Sequence, residues 1–137
     1  MKNFKIIFVS TFILANTLSF SNLSYSQNHT PEAIYNWCSG VLSRSSGLIK
    51  QNMGKFSGSA RSTMNQLYSH LSNNGMILMQ KAAVSGKQSA KNAADSINNG
   101  IRYANQHVGN NVLIITTKGS KANKTIMNCL SLNKWND

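Results

Sequence analysis

The chain has 137 residues, with fourteen Lys and Arg against three Asp and Glu, and a formal net charge of +11. That length suits one domain with one core and argues against a multidomain protein. Two cysteines, one proline and an abundance of Asn and Ser describe a basic, polar surface around a modest core rather than a disulfide-dense scaffold.

Lys2 and Lys5 precede Ile6 to Phe20, an uncharged apolar block, and small residues follow at Ser24 and Ser26. That is the layout of a secretory signal, with cleavage expected after Ser26 and a mature domain over residues 27–137. As a helix the block would span about 22 Å, short of the roughly 30 Å hydrocarbon core that an uncleaved anchor must cross. No later segment is apolar enough to span, so no stable transmembrane segment is expected after cleavage. The expected location is periplasmic or secreted. Removing Lys2 and Lys5 leaves twelve basic residues against Glu32, Asp95 and Asp137, a net charge near +9.

Thr30-Pro31-Glu32 reads as a helix start: a capping hydroxyl, proline at the first helical position, and an acid near the positive end of the helix dipole. Ile34, Trp37, Cys38, Val41, Leu42, Leu48 and Ile49 then share one helical face, with Arg44 and Lys50 off it. Gly40 and Gly47 are expected to weaken this helix. Residues 53–59 form a glycine-containing connection, with Ser57 or Ser59 able to cap a second helix bearing Met64, Leu67, Tyr68 and Leu71. Asn73-Asn74-Gly75 is expected to stop that helix.

From Met76 to about Val108 a stripe of Met79, Ala83, Gly86, Ala90, Ala93, Ile97, Ile101, Ala104 and Val108 steps by three and four. A polar stripe of Gln88, Lys91, Asp95, Asn98, Arg102 and Asn105 should face water. Asn98-Asn99-Gly100 is a candidate break, so this stretch is one helix or two. The apolar run Met76-Ile77-Leu78-Met79 reads as a buried helix start, with a sticky surface as the other option. Val112 to Thr117 is β-branched and reads as a strand by propensity, but no second alternating segment exists to pair with it; a helical turn is slightly favoured. Ser120 can cap a last helix in which Ala122, Ile126, Cys129 and Leu130 share a face.

Cys38 and Cys129 therefore both point inward, and export favours their pairing. Their separation is 91 residues, and the chain-entropy model gives a loop of that size about 4 to 5 kcal/mol. The expected fold is all-α: a small single-domain bundle of four to five helices, closed by a Cys38–Cys129 disulfide.

Groups able to donate, accept or attack are few. Glu32, Asp95 and Asp137 are too far apart in sequence to suggest paired acid and base. The histidines are His29, His70 and His107, and no metal-binding, phosphate-binding or nucleophile motif accompanies them. A zinc site would need both cysteines free. No cofactor, no metal and no catalytic residues are expected; a hydrolase using His70 or His107 is the minor alternative. Lys118, Lys121 and Lys124 are the one local charge cluster, with Lys134 and Trp135 beyond. They form either an anionic-partner docking surface or a solvated helix face. Lys81, Lys87, Lys91 and Arg102 would extend the field. Exposed aromatics to interleave with these charges are scarce, Tyr103 and Trp135 being the first candidates, which argues against a base-stacking platform, and export also argues against nucleic acid.

The layout, an exported small helical domain with two cysteines near its ends, is similar to that of bacterial periplasmic binding or inhibitor proteins. Immunity proteins against toxins delivered into the periplasm are one such class. This is a likeness of layout, carried by no shared motif. It implies binding to an acidic protein; the alternative partner is an anionic envelope surface, membrane or cell wall.

Overall fold

The structure is a computed structural model that describes residues 30–134. The expected secretory segment, residues 1–26, lies outside the described residues, as do His29 and Trp135. Four α-helices appear among the described residues: α1 (Pro31–Gln51), α2 (Gly58–Ser85), α3 (Ala90–His107) and α4 (Lys121–Lys134). Short 3-10 turns occupy Met53–Lys55 and Val112–Ile115, and the described residues contain no strand. The chain is an all-α bundle.

α1 begins as its sequence requires. The Thr30 hydroxyl accepts the Ala33 amide at 3.2 Å, and Pro31 fills a first-turn position where no amide partner is available anyway. All seven residues of its expected apolar face are buried, but so are Asn36, Ser39, Gly40, Ser45 and Ser46. The helix is buried on nearly every side because its three partners take three faces. α2 packs on Ser39, Leu42 and Ser43 through Gly75. α3 packs on Trp37, Gly40 and Val41 through Ile97, Gly100 and Ile101. α4 lies across the third face at Cys38, from Tyr103 on α3 to Asn74 on α2.

Burial of polar residues on α1 requires partners for them. Asn36 donates to the Gln88 side chain at 2.6 Å, and Gln88 in turn donates to Ser96 Oγ at 3.1 Å, which pins the turn between α2 and α3 onto α1. Ser39 and Ser46 donate back to the carbonyls of Asn36 and Ser43. Ser45 Oγ is fully buried with no hydrogen-bond partner. An unsatisfied buried hydroxyl costs about 1 to 3 kcal/mol, and alanine is also the better helix former. Ser45→Ala is therefore expected to raise the unfolding free energy by about 1 kcal/mol, readable as a higher midpoint in a urea titration.

Three expectations for the middle of the chain are corrected: the stop at Asn73-Asn74-Gly75, the small-residue stripe, and the buried helix start at Met76-Ile77-Leu78-Met79, which lies inside α2 with Leu78 alone buried. Asn73-Asn74-Gly75 does not stop a helix: α2 runs through it, and Gly75 is buried because a β-carbon there would meet Ser43 Oγ, Leu42 and the Ser39 carbonyl. The true stop is Gly86, in the left-handed region at φ 62°, its amide bonded to the Ala83 carbonyl. Asn98-Asn99-Gly100 does not break α3, where Gly100 is again a contact residue. The stretch 76–108 is thus parts of two helices, separated at 86–89. Across that break the expected small-residue stripe does not hold. Met79, Ala83, Gly86 and Ala90 are exposed, Ala93, Ile97 and Ile101 half-buried, and only Ala104 and Val108 buried. The faces that pack are Leu71, Gly75, Leu78 and Ala82 on α2, and Ser96, Gly100, Tyr103 and Ala104 on α3.

Residues 112–115 form a 3-10 turn that buries Val112 and Ile115, the helical option for this β-branched run. Its carbonyls find partners in the start of α4: Ser120 Oγ donates to Ile114 at 2.8 Å and Asn123 to Ile115 at 2.7 Å. Ser120 also accepts the Asn123 amide at 3.0 Å, capping α4 as its sequence suggests. Ala122, Ile126, Cys129 and Leu130 are buried along the inner face. Cys38 and Cys129 are joined, with an S–S length of 2.05 Å and Cα atoms 5.4 Å apart, and neither sulfur side chain is exposed.

Candidate docking surface

The lysines singled out in the sequence occupy two places. Lys118, Lys121 and Lys124 are exposed together at the start of α4. No acidic residue lies in the first turn of α4, so three cations stand at the positive end of the helix dipole. Lys134 is exposed at the other end, thirteen residues and about 20 Å along the helix. There Asn133 donates to both the carbonyl and the side-chain oxygen of Asn74, tying the end of α4 to the middle of α2.

His107 lies near the first lysine group. Its ring stacks on Tyr103 with centroids 4.4 Å apart, and Tyr103 packs in turn on Trp37 at 5.2 Å. Tyr103 is buried, against the expectation of an exposed ring, and its hydroxyl reaches Thr125 Oγ1 at 2.8 Å and the Lys121 carbonyl at 3.3 Å. Burial, and then the positive charge of Lys121, hold the His107 imidazole below its ordinary value of 6.5. Burial likewise pushes the Tyr103 phenol up, with the Thr125 bond opposing. His70 is exposed on α2, where Asn74 shares a hydrogen bond with its ring. The two histidines sit on helices that pack on different faces of α1, each with its own neighbours. The described residues contain no group of three His, Cys, Asp or Glu able to hold a metal ion. They also contain no helix long and apolar enough to cross a membrane.

Carboxylates among the described residues are Glu32, which is buried, and Asp95, which pairs with Lys91 at 3.2 Å in an exposed i, i+4 bridge. That bridge is worth little in stability. Among the described residues the exposed surface therefore carries many cations and a single carboxylate, Asp95, which is already paired.

The run Met76-Ile77-Leu78-Met79, expected as a buried helix start, lies inside α2 with only Leu78 buried, and its other side is exposed. The inner side is filled by Leu71, Gly75, Leu78 and Ala82. Met76, Ile77, Met79 and Val84 are surplus to that contact and remain 49%, 41%, 44% and 88% exposed. With Ala83 they spread over about 160° of the helix on the side away from Leu71, Gly75, Leu78 and Ala82, an arc that also holds the exposed polar residues Asn73 and Gln80. The stretch Arg61 to Lys81 carries no charge between its ends, in a chain of net +11. Cations stand near both ends of the surface: Lys134, brought to the level of Asn74 by the Asn133 bonds, and Lys87 beyond the Gly86 cap. The sequence signal for such a surface is the one turn Met76-Ile77-Leu78-Met79, apolar all round, which is the pattern of a turn covered on both sides. Here one side is covered.

No family model, no curated protein and no solved structure matches this chain.

Proposed function

We propose that this is an exported, basic helical binding protein that docks on and blocks an acidic partner protein, most concretely an immunity-type protein that neutralises a toxin in the periplasm. The observation that carries this reading is the outer side of α2, where Met76, Ile77, Met79 and Val84 are exposed beside Asn73 and Gln80, and where no charge occurs between Arg61 and Lys81. Protein interfaces commonly mix exposed apolar side chains with uncharged polar ones at their centre and keep charge at the edge. Methionine suits adaptable contacts. The near absence of surface carboxylates selects a partner whose own rim is acidic.

The test is capture of the cell-envelope proteins by the chain 27–137 and by its Met76→Asp/Met79→Asp variant. The expected result is one acidic protein held at near-equal stoichiometry by the unmodified chain, with affinity at least about tenfold lower for the variant. Equal capture by both chains would remove α2 from the reading. Capture of no protein by either would remove the partner.

A second reading rests on Lys118, Lys121 and Lys124, exposed at the positive end of α4. On that reading the protein adsorbs to anionic membrane or cell-wall material. It expects salt-sensitive binding to phosphatidylglycerol vesicles that falls when the three lysines become glutamate.

A further inference from the structure

We infer that Met76 and Met79 are a paired oxidation site whose conversion to sulfoxide removes most of the exposed apolar surface at the centre of α2 without unfolding the domain. The consequence for partner binding rests on the docking reading above; the modification itself does not. Two thioethers at i and i+3 share the exposed arc, 49% and 44% accessible, while Met64 on the inner face is 3% accessible and Met53 is half-buried. Oxidation of methionine follows access of the oxidant to sulfur, so these two positions react first, together with Met127, which is 52% exposed on α4.

The reaction balances with hydrogen peroxide as oxidant. A sulfur lone pair attacks one peroxide oxygen, the O–O bond breaks, an S–O bond forms, and the second oxygen leaves as water after proton transfer. Sulfur loses two electrons and peroxide gains them. The product is a polar, chiral group in place of a flexible apolar one. At Met64 that change would disrupt the core. Met76 and Met79 lie outside the buried core, so there it changes chiefly what the surface offers.

The experiment treats the purified protein with dilute hydrogen peroxide and reads three quantities: oxygen gain at each methionine by peptide mass mapping, thermal midpoint, and retention on a phenyl matrix. Met76 and Met79 are expected to gain one oxygen each at least about tenfold faster than Met64. The midpoint should hold while retention falls. With Met127→Leu in place to remove the third exposed thioether, retention should still fall on treatment, and adding Met76→Leu/Met79→Leu to that variant should abolish the fall. The inference is overturned if Met76 and Met79 react no faster than Met64, if the midpoint falls in step with their oxidation, or if the triple leucine variant loses retention equally. Partner binding that survives Met76→Asp/Met79→Asp would sink the docking reading and leave these three readouts standing.

Discussion

Replacing Gly100 by alanine is expected to cost at least about 3 kcal/mol of stability, at the upper end of what overpacking does, and Gly40→Ala should cost about as much. A β-carbon on Gly100 would overlap the Trp37 carbonyl oxygen, with Val41 N at 2.9 Å and the Trp37 carbonyl carbon at 3.0 Å. A β-carbon on Gly40 would overlap the Ile97 carbonyl oxygen, with Ile101 N at 3.1 Å. Each helix thus offers a glycine to the other's backbone, and backbone atoms cannot rotate out of the way. The helices would have to separate, loosening the Trp37–Tyr103 contact and the Tyr103–Thr125 bond behind it. The opposing gain in helix propensity, about 1 kcal/mol, is too small to compensate.

Gly47 provides the internal control, because only the Arg44 guanidinium lies near its β-position, at 4.0 Å. Gly47→Ala should therefore raise stability by about 0.5 to 1 kcal/mol. Gly75→Ala should fall between, since its nearest obstacle at 2.7 Å is the rotatable Ser43 hydroxyl, with Leu42 Cβ and the Ser39 carbonyl at 3.3 Å. Urea titrations of the four variants would give the order Gly47→Ala, unmodified, Gly75→Ala, then Gly40→Ala and Gly100→Ala together. A Gly100→Ala protein as stable as its parent would mean that the two helices do not approach as closely as described.

The same glycines mark where the sequence was legible and where it was not. Periodicity placed α1 and α4 well, because each has long side chains on the inward face and the cysteines fall on it. The capping residues Thr30 and Ser120 could be read for the same reason: a hydroxyl three residues before an amide is local information. Gly75 and Gly100 sit beside asparagines and carry the signature of a helix end, yet both lie inside helices. Composition shows that a side chain is missing; it does not show whether the backbone needs a positive φ or a neighbour needs the room. Gly86 needs the first, Gly75 and Gly100 the second. The small-residue stripe failed for a related reason. Alanine and glycine occur on both sides of α2 and α3, so the spacing of three and four fits more than one face. The run Met76-Ile77-Leu78-Met79 shows the same ambiguity: an apolar turn fits a buried helix start or an exposed surface, and only Leu78 is buried.

Removing the Cys38–Cys129 bond is expected to lower stability by about 2 to 5 kcal/mol. The bond closes a loop with a sequence separation of 91, nearly the whole described domain. Its effect falls chiefly on the unfolded chain, whose ends it holds together. In the folded state α4 has other anchors: Ile126 in the core, Thr125 on Tyr103, and Asn133 on Asn74. A Cys38→Ala/Cys129→Ala chain should therefore keep α4 docked, with amides near Ile126 still protected from hydrogen exchange, while its urea midpoint drops. A change below about 1 kcal/mol would show that the unfolded chain is already compact enough for the bond to add little. Loss of α4 protection alone, with the rest of the domain unchanged, would show instead that the bond acts locally. Both sulfurs are inaccessible in the folded protein, so reduction of the native state should be slow and should accelerate with urea as opening exposes them. The stability of this domain is then tied to its surroundings: with total folding free energies of about 5 to 15 kcal/mol usual for small proteins, the same chain kept reduced would retain its contacts and lose much of its margin.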